Sequence, residues 1–401
     1  MSADDEPAAA TLPLCTRCHL LCTQIDGCDR GTLQHPLSPP VYAVDGLVVA
    51  EDVAVQRAIE LMTVARRPLI YGLTQHGVDA VRAATALADR LQAVIDLQIS
   101  DPHRAAIRAE QQVGQLSASL AEIRERADAL LFLNADPLRT HPRLLDRLGA
   151  TRDVACLSIA AEAHGLTAHP SMGAACEIEP QAQWRMLRWL RYLALDLTPP
   201  PNEFSTEEVE RAAEVAHFVQ QARYLVVCWE PPAWDGLSEL WVTELLRWLA
   251  ALNHKQIAVS WTLTVDHAAT AEAVLTWQTG YPCSVDFSQG YPQYDPQQWV
   301  GHHLLEQGAT DGALLIGCRD DLSIDEAIPW IAVDCPPLLA ARATVAIQTA
   351  EGTFPPAVYF RGDGVALNCT VEPEDPAEAI PSGSVARFLN RLAETLVRFP
   401  H

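Results

Sequence analysis

The residues best suited to chemistry come first in the chain. Cys15-x2-Cys18-x3-Cys22-x5-Cys28 gathers four soft thiols within fourteen residues. Such a set suits an iron–sulfur cluster, and tetrahedral zinc fits the same ligands. Four reduced thiols with no metal are the alternative. A bound metal requires the four sulfurs to converge on a common point. A second feature is Gly72-Leu-Thr-Gln-His-Gly77, a glycine-bounded turn between a strand-like run and a helix start. Backbone N–H groups at such a turn can hold a phosphate, although a plain turn explains the same residues. Neither a Walker A lysine nor Gly-x-Gly-x-x-Gly is present. The thirteen histidines are scattered without His-x-His or His-Glu-x-x-His, and His302-His303 reads as an exposed or packed pair on a helix. Gly-x-Ser-x-Gly is missing, so no serine nucleophile is signalled. Gly280 to Pro296 carries two Gly-Tyr-Pro turns around a short strand-like run, an aromatic loop suited to a pocket wall or an interface.

The elements that must position these residues alternate. Glu51 to Ala65 has helical spacing; Pro68–Gly72 reads as a buried strand, Val78–Leu91 as an Ala-rich helix and Ala93–Asp96 as the next strand. Leu120–Arg126, Ala129–Leu133, a loop Asn134–Pro137, a short helix near Leu144–Leu148, Ala155–Ile159 and the helix Trp184–Leu195 continue the pattern. Three prolines in Thr198–Asn202 make a stiff linker. Beyond it, Ser205 and Glu208 form a capping-box signature for a helix to about Gln221. Tyr224–Trp229, Leu237–Leu252, Ile257–Trp261, Ala313–Gly317 and Ile331–Asp334 follow as strand, helix and three strands. Such alternation predicts an α/β protein with two parallel-sheet domains behind a small cysteine-rich segment. The expected division is 1–48 for the cysteine-rich segment, 49–200 and 201–340 for the α/β domains, and 341–401 for a C-terminal segment packing back on the core.

Composition narrows the function. With 401 residues, 49% apolar and 20% charged, the chain is globular. Its net charge of −23 opposes binding to nucleic acid or an anionic membrane and favours cationic partner surfaces. An acidic start without an apolar stretch, and eleven cysteines without a secreted framework, predict a cytoplasmic protein.

Several segments together carry a resemblance. They are Cys15–Cys22, Ala65–Leu73, Ala88–Asp96, Ala127–Pro137 with His141-Pro142, Val274–Gly280 with the loop through Pro296, and Tyr359–Gly364. In these the chain resembles the B-subunit family of formylmethanofuran dehydrogenase, most of all the B-type member of the bacterial formyltransferase/hydrolase complex. The resemblance implies a molybdopterin-oxidoreductase-like fold, with a tungsten or molybdenum pterin between two α/β domains in redox members. There a cysteine or selenocysteine followed by histidine holds the metal; the resemblance places that pair on Pro102 and His103. Proline offers no side-chain ligand, so the pterin metal is expected to be absent and the chain to lack catalysis of its own. The family's fourth cysteine also lies much further downstream than Cys28. Candidate metal ligands are Cys15, Cys18, Cys22 and Cys28; candidate cofactor-binding residues are Gly72, Gly77, His103, Asn134, Asp136, Tyr281 and Tyr291. The implied partners are three: the amidohydrolase-like A-type component, the C-type component and the formyltransferase, in tetrahydromethanopterin-linked one-carbon metabolism. A redox-active pterin protein is the alternative. Trp184, Trp189, Trp229, Trp234, Trp241 and Trp248 are candidate interface anchors, several of which should then be exposed.

Overall fold

The computed structural model describes residues 15–23, 28, 40–148, 155–160, 174–200, 203–264, 267–349, 357–369 and 384–396. Its strands are β1 (Val41–Val44), β2 (Leu47–Val48), β3 (Pro68–Gly72), β4 (Val94–Leu97), β5 (Ala129–Leu133), β6 (Ala155–Ala160), β7 (Ala174–Glu177) and β8 (Tyr224–Trp229). They continue as β9 (Ile257–Thr262), β10 (Val285–Asp286), β11 (Gln293–Tyr294), β12 (Gly312–Ile316), β13 (Trp330–Val333), β14 (Val345–Gln348), β15 (Val358–Phe360) and β16 (Ala366–Asn368).

Two sheets dominate. The large one runs β11-β10-β4-β3-β12-β13-β14-β1-β2, the small one β7-β6-β5-β8-β9. The small sheet is parallel throughout. The large sheet is parallel from β4 to β14 and carries antiparallel strands at both margins. Its central strands are apolar on both faces because both are covered. Ile70, Ile95, Leu314, Ile331 and Val345 pack under the helices Glu51–Val64, Val78–Leu91 and Val385–Leu396. Alternate residues Leu69, Tyr71, Ala313, Leu315 and Ala332 face the other way, onto Leu305 and Leu339. The small sheet divides likewise. Leu131, Leu133, Val227 and Trp229 meet the helices Pro180–Ala194, Thr206–Gln221 and Ser238–Leu252, while Phe132, Val226, Cys228 and Trp261 meet the cysteine-rich segment.

The helix Asp101–Val113 joins the two units. Ile107 packs into the large-sheet core, and Ala106 and Ala109 into the small-sheet core. Arg108 Nε donates to Glu239 Oε2 at 2.7 Å, tying this helix to Ser238–Leu252.

Two sequence expectations need correction. A boundary at residue 200 would part β5 from β8, which are hydrogen-bonded neighbours with Ala129 opposite Leu225. The units interleave instead: β5 to β9 form the small sheet, and the chain on either side of them builds the large one, β14 included. Sequence order misleads here because parallel neighbours are joined through crossovers, and nothing local marks which sheet a strand enters. The second correction concerns the tryptophans. Trp229, Trp241 and Trp248 are buried, and Trp184, Trp189 and Trp234 half-buried against the same core, so none of the six is an exposed anchor. Their large apolar area is spent on the small-sheet core. The exposed tryptophan is Trp277, at 61%, edge-on to Phe360.

Among the described residues no helix is long and apolar enough to cross a membrane.

Candidate functional site

Strand direction sends the carboxyl ends of both sheets to one place. Gln75 follows β3, Ser100, Pro102 and His103 follow β4, and Arg319 follows β12. Facing them, Glu230, Pro231 and Ala233 follow β8, and Leu263 and Thr264 follow β9. With Arg17 from the cysteine-rich segment, these residues line a cleft of about 530 Å³. Ligands of open α/β sheets bind outside the carboxyl ends of their strands, so this cleft is the natural site.

Beneath it lies a buried ion pair. Asp96 interrupts the apolar run of β4, and Arg104 sits on the following helix. Arg104 Nη1 and Nη2 donate to the two Asp96 oxygens at 3.0 and 2.8 Å, and further to Ser284 Oγ and the Leu97 carbonyl, both at 2.8 Å. Asp96 also accepts from the backbone N–H groups of Ser284 at 2.9 Å and Gly301 at 2.7 Å. Both side chains are almost wholly buried. Burial alone would lower the Arg104 pKa, but the Asp96 carboxylate more than offsets it and the net shift is upward. Gln98 accepts from the Arg319 backbone N–H at 2.8 Å, which seats Arg319 at the cleft.

His103 forms part of the cleft wall. Its backbone N–H donates to the capping Ser100 Oγ at 3.4 Å, and its Nε2 lies 2.9 Å from Glu272 Oε1. Glu272 belongs to the helix Ala269–Thr279 and lines a second cavity of about 420 Å³ with Glu110, Gln111, Phe360 and Arg361. The His103–Glu272 pair therefore separates the two cavities. Burial pushes the Glu272 carboxyl up, but the neighbouring His103 imidazole more than offsets this, leaving it below its ordinary value. Glu110 is pushed up to about 7 by burial and by the Glu272 charge.

The cysteine-rich segment closes on itself, with the Cys15 N–H donating to the Cys22 carbonyl at 2.8 Å. Leu21 takes a left-handed conformation, φ 46°, just before Cys22. Cys15, Cys18 and Cys22 are buried against the small sheet and Cys28 is half-buried. Among the described residues, the four thiols are not a group whose ligand atoms all lie within 4.8 Å of one another; Asp101, His302 and His303 are. The loop and donor chemistry suit a soft metal. Between the cysteines, His19 faces Thr264, with Nε2 2.6 Å from its Oγ1, and stacks edge-on against buried His267 at 5.7 Å. Burial first, then His19, holds the His267 pKa well below the ordinary imidazole value.

Of the other residues singled out from sequence, none lines the cleft. Gly72 has φ 115°, and a Cβ there would stand 2.1 Å from the Ile316 carbonyl oxygen; at Gly77 it would stand 2.3 Å from Ala357 Cβ. Close packing explains both glycines, and Gln75 between them is the residue that reaches the cleft. The Asn134 amide bonds Gln183 at 2.9 Å, and Asp136 caps the short helix Pro137–Thr140. Tyr281 stacks on Tyr294, and Tyr291 is 58% exposed. Sequence reasoning missed Arg17, Gln75, Ser100, Glu230, Thr264 and Arg319, together with the Asp96–Arg104 pair. One signal was present: Ser100-Asp-Pro is a helix-start pattern.

Comparison with known proteins supports the resemblance. No family model matches the chain. It is similar to the B subunit of the tungsten-containing formylmethanofuran dehydrogenase 2 of Methanocaldococcus jannaschii, 25% identical over 378 residues, covering 84% of this chain and 82% of the relative. It is also similar to the B subunit of the formyltransferase/hydrolase complex Fhc of Methylorubrum extorquens, 26% identical over 281 residues, covering 68% and 73%. One chain in the crystal structure of the formyltransferase/hydrolase complex of Methylorubrum extorquens, solved with methylofuran, shares the fold. Its TM-score is 0.69 at 22% identity, with 89% of this chain and 99% of that chain covered. The resemblance expected from the sequence thus holds, and the mixed α/β fold with parallel sheets is that of this solved relative.

Proposed function

We propose that this chain is the B-type subunit of a formylmethanofuran dehydrogenase-like formyltransferase/hydrolase complex, structural and cleft-forming rather than redox-active. The molybdopterin-oxidoreductase-like architecture is part of the same reading: two α/β units closing on a cleft at their strand ends. The observation that carries the absence of redox turnover is Pro102. It lines the cleft where the resemblance places the metal-holding residue, and it has no side-chain donor. The next residue, His103, has its Nε2 committed to Glu272. A pterin-bound metal does not fit these residues. The cleft is lined by polar groups of both kinds: Arg17 and Arg319, the latter 3.5 Å from Asp321, with Glu230, Gln75, Ser100 and Thr264. Those groups suit an elongated polar ligand such as a carrier tail. Formyl transfer and hydrolysis then belong to the formyltransferase and amidohydrolase-like (A-type) partners, with the C-type component completing the complex in the cytoplasm. The net charge of −23 favours cationic partner faces. The four cysteines are the candidate site for an iron–sulfur cluster or zinc.

The test is co-expression with the partner proteins and anaerobic purification of the complex. Iron, zinc, molybdenum and tungsten are then determined, and electron-carrier-linked turnover of formyl-carrier substrates is assayed. The expected result is a stable multi-subunit complex without stoichiometric molybdenum or tungsten and without redox turnover. Close to one equivalent of either metal per chain, with turnover, overturns the reading in favour of a redox role.

A further inference from the structure

Asp101, His302 and His303 present one ligand atom each, all within 4.8 Å of one another. Asp101 is the first residue of the helix Asp101–Val113, and the histidines are the second and third of the helix Gly301–Glu306. His302 Nε2 lies 3.7 Å from Asp101 Oδ1, and the two imidazole centroids are 4.3 Å apart at 59°. In sequence the histidine pair reads as exposed or packed; the fold adds a carboxylate from a distant segment.

The two helix starts are held together from below. Asp96 binds Arg104 on the first helix and accepts the Gly301 N–H that opens the second. Gly301 is pressed against β3, where a Cβ would stand 2.2 Å from the Tyr71 ring. The three donors are therefore mounted on backbone fixed by one buried ion pair, so little reorganisation separates them from a coordinating geometry. We propose that Asp101, His302 and His303 bind a divalent first-row transition ion, zinc foremost. Two imidazoles and a carboxylate match its borderline character, and three protein ligands leave a tetrahedral position for water or an outside ligand. His302 is half-buried while Asp101 and His303 are exposed, so the ion enters from solution. Once bound, it ties the two helix starts beside Pro102 and His103, at the lip of the cleft.

Cobalt(II) titration of the metal-stripped full chain tests this, because thiolate ligands give intense charge-transfer bands that nitrogen and oxygen ligands lack. The expected result is one equivalent of cobalt bound without thiolate bands and displaced by Zn²⁺. Asp101→Asn, His302→Ala and His303→Ala should each weaken that binding at least about tenfold, the loss that even outer-shell partners cause. Zn²⁺ should raise the Tm of the parent chain and leave the variants unmoved. Asp101 and His303 are exposed and His302 is half-buried, and circular dichroism checks that the variants fold. Binding confined to thiolate sites, variants that bind like the parent, or affinity only in the millimolar range overturns the proposal.

Discussion

The two sheets deliver their strand ends to the same cleft with opposite materials. On the large-sheet side the support is polar: Asp96, Arg104 and Ser284 bond to one another, His103 pairs with Glu272, and Gln98 accepts from the Arg319 N–H. On the small-sheet side it is aromatic. Trp229 and Trp241 lie with centroids 6.1 Å apart, and Trp234 meets Trp241 edge-on at 6.0 Å. A polar lattice fixes direction and tolerates little change, since each member leaves a partner unsatisfied when removed. An aromatic cluster fills volume and adapts. The large sheet is therefore the orienting half of the cleft, and the small sheet its wall.

That contrast can be broken most forcefully at Arg104. Arg104→Met leaves Asp96 charged and buried, and should cost about 3–5 kcal/mol in urea unfolding. Adding Asp96→Asn should restore part of the loss; a double variant as unstable as the sum of the singles would show that the two side chains act independently. Next comes Glu110, whose carboxyl is raised to about 7 from an ordinary 4.5. A raised carboxyl is a penalty carried in full above its folded pKa and relieved as pH falls through 7 toward 4.5. Glu110→Gln should therefore stabilise the chain by about 1–3 kcal/mol at pH 8 and hardly at all near pH 4.5. Equal effects at both pH values would remove the electrostatic account. The smallest effect is expected on the aromatic side. The indole N–H of Trp241 finds no acceptor among the described residues, so Trp241→Phe loses packing but also an unsatisfied donor. A cost below about 1 kcal/mol by thermal unfolding is expected; a cost near that of Arg104→Met would erase the distinction.

Local patterns were legible where one segment carried the whole signal. Pro68–Gly72, Ala129–Leu133 and Tyr224–Trp229 are apolar runs with clear bounds, and the strands coincide with them. Ser205 and Glu208 form the capping box their spacing announces. The helices Asp101–Val113 and Ala269–Thr279 escaped. The first carries His103 and Arg104 behind a Ser-Asp-Pro start, and the second begins without a side-chain cap. The site itself was half legible. Pro102 and His103 were found, yet Asp96 meets Ser284 and Gly301 across separations of 188 and 205 residues. Nothing in a single strand announces such partners, because a buried carboxylate at a strand end looks the same whatever satisfies it.

The interleaving of the sheets also dictates the order in which the molecule can be made. The small sheet is drawn from one continuous stretch, Ala129 to Thr262, and can form as soon as that stretch has left the ribosome. The large sheet cannot. Its β3 pairs with β12, Pro68 against Gly312, so the first half of its core waits with an unpaired edge until β12 emerges. During that interval the exposed edge invites mispairing. Refolding from denaturant should then be biphasic, a fast phase closing the local unit and a slow, high-contact-order phase stitching the large sheet around it.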